Sequence, residues 1–414
     1  MSKSIKVLDC TLRDGGYYTN WDFSRSTVTN YAKAMDELPI DIIEIGYRSI
    51  SKEEYYGEFF YTPINTIDFI KEMTNKPIAL ILNERDLIIS EIENLLRPCL
   101  NKISLIRLAV DPSNLGSAIL KAKYIKSMGF EVAFNVMYLS DWIDDETFLL
   151  NFKEIENYID YLYLVDSYGG VFPKQIETVI EKIKIITKVK LGFHGHNNLE
   201  LALANTLTAI DSGIDIIDCT VMGMGRGAGN LKTELLIAVI FKNSIVNFNS
   251  FSTLLEDFND LQKKHNWGTN LPYIIAGTHS IPQKQIMNWL QKGFYSFNSI
   301  LNALNNKIHN KIESKYPKLE LKQSYENSLI IGGGASVLKH LEAIKVYLKS
   351  TDSTLIIFSS SRYLKYFQEF FNKSIICLVG NENERLNSTN KIYFTTLTKR
   401  NGDFYSDRIR NKYF

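Results

Sequence analysis

The sequence predicts an α/β fold whose main body is a closed (β/α)8 barrel, of the TIM-barrel type. Three observations carry this. Short β-type runs alternate with helical runs from the start of the chain. Eight such units fit into about 240 residues, the usual length of one barrel. The strand runs are also apolar throughout, as strands covered on both faces are, where a half-exposed sheet would alternate polar and apolar residues. An open doubly wound sheet is the competing arrangement, and eight regular units favour closure.

Residues 5–10 (Ile-Lys-Val-Leu-Asp-Cys) read as the first strand, Ser26 to Leu38 as the next helix, and Asp41 to Tyr47 as the second strand. Further strand runs are expected at 78–82, 103–110, 130–137, 161–165, 189–194 and 215–220, with helical stretches such as 117–128, 174–187 and 199–212 between them. These make residues 1–240 the barrel. From 241 to 321 the β pattern stops, and runs at 250–265, 283–291 and 295–314 predict a helical extension beside it. After a polar linker at 320–327, residues 325–414 read as a small Rossmann-like α/β domain. It has a strand at 328–331, the turn Gly332-Gly333-Gly334, a helix to Lys349, and strands near 355–359, 375–379 and 392–395.

The chain has 414 residues, with 47 Lys and Arg against 46 Asp and Glu, a formal charge of +1. That balance argues against a general nucleic-acid binder or a membrane-surface protein, both of which carry a strongly basic footprint. No apolar run approaches membrane-spanning length. Met1-Ser2-Lys3-Ser4 leads straight into strand-like sequence, which predicts no secretory leader and a cytoplasmic location. The four cysteines (Cys10, Cys99, Cys219, Cys377) are scattered without Cys-x-x-Cys pairs and read as reduced thiols.

On such a barrel the catalytic groups lie just beyond the carboxyl ends of the strands. Those ends carry Arg13 and Asp14, Glu44 with Tyr47 and Arg48, Asn83, Arg107, Asn135, Asp166 with Ser167, His194 and His196, and Thr220 followed by a glycine-rich loop. His194 and His196 are two apart at a strand end, so both rings leave the same face, a spacing suited to one metal ion. Taken alone, the pair is equally compatible with two solvent-facing loop histidines.

Three stretches then stand together: Asp9-Cys10-Thr11-Leu12-Arg13-Asp14-Gly15-Gly16 after the first strand, His194-Gly195-His196-Asn197 after the seventh, and Gly223-Met224-Gly225-Arg226-Gly227-Ala228-Gly229-Asn230 after the eighth. With these in this order, residues 1 to about 290 resemble the DRE-TIM metallolyase superfamily (HMG-CoA lyase-like), and most of all its 4-hydroxy-2-oxovalerate aldolase-type pyruvate aldolases. The resemblance implies a divalent metal, Mn2+ or Mg2+, held by Asp14, His194 and His196, with Asn230 as a fourth ligand or a neighbour of the ligands. It implies Arg13 beside a developing enolate oxygen, the alternative being a structural ion pair with Asp14. It also implies a substrate surface that includes Arg13, Asn135, Gly225 and Gly227. Glycines in that loop also suit a plain tight turn.

Related aldolases carry a histidine base three residues after the metal Asp. Here Tyr17 holds that place, and a phenol of ordinary pKa of about 10 is an unusual base. Those aldolases also place a tyrosine acid six residues before a histidine. Tyr273 and His279 match this spacing, with packing against the barrel mouth as the other reading for Tyr273. Asp166 is expected either to orient a ligand histidine or to close a polar network. Gly332 and Gly334 suggest a phosphate or nucleotide contact. The third glycine of the dinucleotide fingerprint is replaced by Val337, and no acidic residue ends the next strand, so NAD is not expected.

The expected activity is metal-dependent formation or cleavage of a C–C bond through a pyruvate-type enolate. The expected substrates are a 2-oxo acid and an aldehyde or sugar-derived partner, in carbohydrate or cell-surface polysaccharide synthesis. An acetyl-CoA-dependent Claisen acyltransferase and a non-catalytic metal-binding barrel are the alternatives. No nucleic-acid or membrane partner is expected, and a homo-oligomer is left open.

Overall fold

The computed structural model describes residues 5–293, 295–309, 324–377 and 393–394. The chain divides into two units, Met1–Met287 and Asn288–Phe414.

The first unit is a closed barrel of eight parallel strands in sequence order: β1 (Lys6–Asp9), β2 (Ile42–Tyr47), β3 (Ile78–Asn83), β4 (Leu105–Val110), β5 (Glu131–Val136), β6 (Tyr161–Asp166), β7 (Lys190–Gly195) and β8 (Ile216–Cys219). Closure is made by β1 on β8, with Lys6 to Asp9 paired to Ile216 to Cys219 in register. Strand alternation sorts the side chains. The outward residues (Val7, Ile43, Leu80, Ile106, Val132, Leu162, Leu191 and Ile217 among them) join the helices in one large apolar core. The inward residues Leu8, Cys10, Ile42, Ala79, Leu105, Ala133, Tyr161, Tyr163, Val165 and Ile216 form a separate plug inside the barrel.

One polar layer interrupts that plug. At the next inward position after Ile42, Leu105, Ala133 and Ile216 stand Glu44, Arg107, Asn135 and Asp218, all buried. Arg107 is fully buried and donates from Nε to Asn135 (3.0 Å), from Nη1 to Glu44 (2.8 Å) and from Nη2 to Asp218 (2.6 Å). Its guanidinium lies 4.1 Å from the centre of the Tyr163 ring. Gly192 makes room for that ring, since a Cβ there would collide with it. The sequence reading set Arg107 at the barrel mouth. It sits instead in the middle of β4, inside the barrel, as the counter-charge to two carboxylates.

Helices at Asn249–His265 and Leu271–Thr278 follow the barrel, and the latter was absent from the expected set. It spans eight residues with Pro272 in its first turn, too short for a helical period to register. The second unit holds helices such as Phe297–Ile308 and Leu341–Ser350. Its four-stranded parallel sheet has the order β12 (Tyr393–Phe394), β11 (Ser374–Cys377), β10 (Thr354–Phe358), β9 (Asn327–Ile331). The expected helix to residue 314 and linker from 320 extend partly beyond the described residues. No described helix is long and apolar enough to cross a membrane. Cys10, Cys99 and Cys219 are buried free thiols.

Candidate metal centre and active site

The mouth of the barrel is organised from its first turn. Asp9, buried at the end of β1, accepts from the Thr11 amide (2.9 Å), the Thr11 hydroxyl (2.6 Å), Tyr31 (2.8 Å) and Thr233 (2.6 Å). Thr11 in turn accepts from the Val221 amide (2.8 Å), which ties the turn after β1 to the loop after β8. The one-turn helix Thr11–Asp14 is thereby fixed, with Arg13 and Asp14 both buried. Arg13 donates from Nη1 to Asp14 (2.7 Å) and from Nε to Glu44. Burial pushes the Asp14 carboxyl up, but Arg13, His194 and His196 outweigh it and hold the carboxyl well below the usual range. The ion pair with Asp14 expected as the structural alternative is therefore present, and Arg13 also lines the pocket.

At the end of β7 the two histidine rings sit 5.2 Å apart, edge to face. His194 Nε2 is 3.5 Å from Asp14 Oδ2, and its Nδ1 is 2.9 Å from Asp218 Oδ2. Asp218 thus holds the place beside His194 that was one of the two expected of Asp166. Asp166 spends its oxygens on the Gly170 and Val171 amides (3.1 and 3.3 Å). A carboxylate on Nδ1 fixes the tautomer that leaves the Nε2 lone pair for a metal, the usual arrangement behind a ligand histidine. Burial lowers the His194 pKa, but Asp14 and Asp218 together raise it, so these carboxylates favour positive charge at this position, which a bound proton supplies when no metal is there. Burial and His194 push His196 well down, so it stays neutral, as a ligand must.

Asp14, His194 and His196 each offer a ligand atom within 4.8 Å of one another. Among the described residues His196 Nδ1 and Asn230 Oδ1 are buried without a hydrogen-bond partner, and Asn230 donates its amide to Asp14. One carboxylate, two imidazoles and an orphaned amide oxygen nearby fit a divalent ion with open positions. Cys10, His194 and Asp218 also fall within 4.8 Å. In that trio Cys10 donates to the Cys219 carbonyl (3.5 Å), and Asp218 Oδ2 is engaged by Arg107 and His194 Nδ1.

The cleft above the triad, about 410 Å3 counted to its open mouth, is lined by Arg13, Asp14, Tyr17, Tyr47, Asn135, Ser167, His194, His196 and Arg226 with the apolar side chains of Ile81, Met137 and Val165. The Tyr17 and Tyr47 hydroxyls are 3.1 Å apart. Burial and the neighbouring Tyr17 push the Tyr47 phenol well up, so it keeps its proton. Gly225 and Gly227 do not line the cleft, and Arg226 between them does. A Cβ on Gly225 would strike the Asn230 amide. Gly227, at φ 67°, packs against Gln283, which accepts from the Ala228 amide (3.2 Å).

Tyr273 is buried and lies outside the cleft. Its carbonyl accepts from Asn198 (2.8 Å), and burial pushes its phenol up to about 12, with Tyr18 pulling the other way. Gly332 and Gly334 flank Gly333, whose carbonyl accepts from Arg362 (3.2 Å). The helix after them, Ser336–Lys339, is a single turn with little dipole to offer a phosphate.

A family profile described as HMGL-like matches residues 112–259. The 4-hydroxy-2-oxovalerate aldolase of Carboxydothermus hydrogenoformans is 30% identical over 247 residues, which cover 58% of this chain and 72% of that one. The chain belongs to the HMGL-like family. It is accordingly an enzyme of the carbon–carbon lyase class. The aldolase of that name from Geobacillus thermodenitrificans is 31% identical over 245 residues, 58% of this chain and 70% of its own. Among solved structures, the N-terminal domain of a candidate aldolase from Bacteroides vulgatus is 48% identical, with a TM-score of 0.68, and is matched along 100% of its length by 72% of this chain. The carboxyl transferase domain of Rhizobium etli pyruvate carboxylase, with pyruvate, shares the fold at 14% identity and a TM-score of 0.59, over 74% of this chain and 56% of that one.

Proposed function

We propose that this enzyme is a divalent-metal-dependent aldolase that forms or breaks a C–C bond next to a 2-oxo acid, by way of its enolate. The observation that carries the reading is the buried trio of Asp14, His194 and His196, with Asp218 behind His194 and Arg13 against Asp14. The proposed ion is Mg2+ or Mn2+, which when bound supplies Lewis-acid stabilisation of an enolate.

The remaining work belongs to the chain's own groups. Arg13 is held at Nε and Nη1 by two carboxylates, leaving Nη2 without a protein partner among the described residues. A cation fixed in that way costs no reorganisation when charge develops on the substrate oxygen. Asp218 and Arg107 keep His194 in one tautomer and orientation. Tyr17 and Tyr47 are the proposed proton carriers in place of the missing histidine. When the enolate carbon bonds to the aldehyde carbon, the former carbonyl oxygen takes a proton from this pair, and in cleavage it returns one. Tyr273, buried away from the cleft, is assigned to packing.

Proton–deuteron exchange at the pyruvate methyl group, followed by NMR in D2O, tests enolisation directly. Exchange should require added Mg2+ or Mn2+ and should fall by at least about a hundredfold in Asp14→Asn and His194→Ala, as loss of a ligand from an electrostatic site does. Full exchange in either variant, or in the presence of a chelator, would overturn the reading.

A further inference from the structure

Three arginines stand in the cleft or in the barrel interior beneath it, and two of them are matched by carboxylates; Arg48, after β2, donates to the Leu95, Tyr61 and Thr62 carbonyls. Arg13 is paired with Asp14 and Glu44, and Arg107 with Glu44 and Asp218. Arg226 has no carboxylate within ion-pair distance among the described residues. It lines the same cleft, half-buried, and its Nε is buried with no hydrogen-bond partner among the described residues. Its guanidinium lies 5.7 Å from the centre of the Tyr17 ring, which covers one face and leaves the in-plane donors free. The charged or ionisable groups it faces are Tyr17, Asp14, Tyr138, Tyr47, Tyr168 and His196. Asp14 is already engaged by Arg13 and Asn230.

A partly desolvated cation without a partner is unfavourable by itself and persists where a ligand supplies the missing charge. Arg13 and Arg107 are each held by two carboxylates, and Arg226 by none among the described residues.

We infer that Arg226 receives an anionic group, a carboxylate or phosphate, carried by the aldehyde partner. The inference rests on the aldolase reading and deepens it by naming the second substrate's class, an aldehyde with an acidic group at its far end. A guanidinium suits this because its planar fork pairs in a bidentate way with either anion.

The test compares the metal-loaded enzyme with Arg226→Met and Arg226→Lys on two aldehyde pairs: butanal against 4-oxobutanoate, and glyceraldehyde against its 3-phosphate. With pyruvate as donor, kcat/KM should favour the charged member of one pair by about 10- to 100-fold, the range for charge-assisted hydrogen bonds. The pair that shows the preference separates carboxylate from phosphate. In Arg226→Met the preference should collapse, and in Arg226→Lys it should partly return. No preference in either pair, or a preference that survives in Arg226→Met, overturns the inference. So does a shift in the pyruvate dependence of methyl exchange in place of the aldehyde effect, which would put Arg226 on the 2-oxo acid.

Saturation-transfer NMR of butyrate and phosphorus NMR line broadening of inorganic phosphate, on native and Arg226→Met protein, read the anion site without turnover. Equal binding by both proteins overturns the inference even if no aldol reaction is found. Pyruvate exchange in the native enzyme without any anion preference sinks this inference alone, and absence of exchange sinks the reading beneath it.

Discussion

Asp218→Asn isolates the carboxylate that stands behind the proposed metal ligand. In the native chain one oxygen, Oδ2, faces His194 Nδ1 at 2.9 Å and Arg107 Nη2 at 2.6 Å, while Oδ1 is buried without a partner. An asparagine with its oxygen at the Oδ2 position keeps both contacts in kind and removes only the charge. Neutral hydrogen bonds are roughly half as strong as charge-assisted ones. Replacing a carboxylate on a ligand histidine typically weakens metal binding by about 10- to 100-fold, or about 1.4–2.8 kcal/mol at 1.4 kcal/mol per decade. Arg107 keeps Glu44, so the fold should lose only about 1–3 kcal/mol, the range for one weakened partner of a buried group. Calorimetric titration with Mn2+ gives the first quantity, and urea unfolding of the metal-free protein gives the second. A folded Asp218→Asn protein whose Mn2+ affinity stays within about twofold of native would refute the reasoning. Asp218 would then be a counter-charge to Arg107 and nothing more.

The remaining predictions concern acid–base behaviour and packing. Burial raises the Asp166 carboxyl to about 7 from an ordinary 3.8, so between those values the folded chain holds a proton that the unfolded chain has lost. The Asp166 contribution to stability of the metal-free protein should therefore fall as pH rises through that window, by up to about 4 kcal/mol at 1.36 kcal/mol per unit, against an opposite contribution from His196, and Asp166→Asn should remove the falling component of the slope. Urea midpoints from pH 4 to 8 read this, and an unchanged slope in the variant contradicts it. Gly46 lies where β2 shifts register after Glu44, and a Cβ there would strike the Phe59 carbonyl and the Thr62 hydroxyl. Gly46→Ala should lower stability by about 1–3 kcal/mol, as overpacking does, and reduce activity through the displaced Glu44–Arg13 pair. A native melting curve would count against that packing account.

The barrel was legible because its signal is repeated eight times and depends only on where apolar runs begin and stop. The mouth residues at strand ends were legible for a related reason, since polarity returns where the strand leaves the core. The inner polar layer was harder. Asp218 stands in Ile216-Ile217-Asp218-Cys219 and Arg107 in Leu105-Ile106-Arg107-Leu108, each a single charge inside a greasy run. Counting by twos from Leu105 and Ile216 points both into the barrel, a parity available in the sequence but visible only once closure is assumed. Arg226 was hidden by its glycines, because a turn-forming loop draws attention to its backbone. Tyr273 could not be placed from spacing, since its position depends on an eight-residue helix that no periodicity announces.

The bond between Asp9 and Thr233 joins side chains 224 positions apart, and β1 has β8 as one of its two neighbours. During synthesis at about 5–20 residues per second, the first strand waits roughly ten to forty seconds for the partner that seals the cylinder. Through that interval one side of β1 is an open edge flanked by Val7 and Leu8, which in the finished enzyme are wholly shielded. The turn that presents Arg13 and Asp14 is fastened by the last barrel segment to emerge, so the nascent chain has no assembled active centre before the whole barrel has been made.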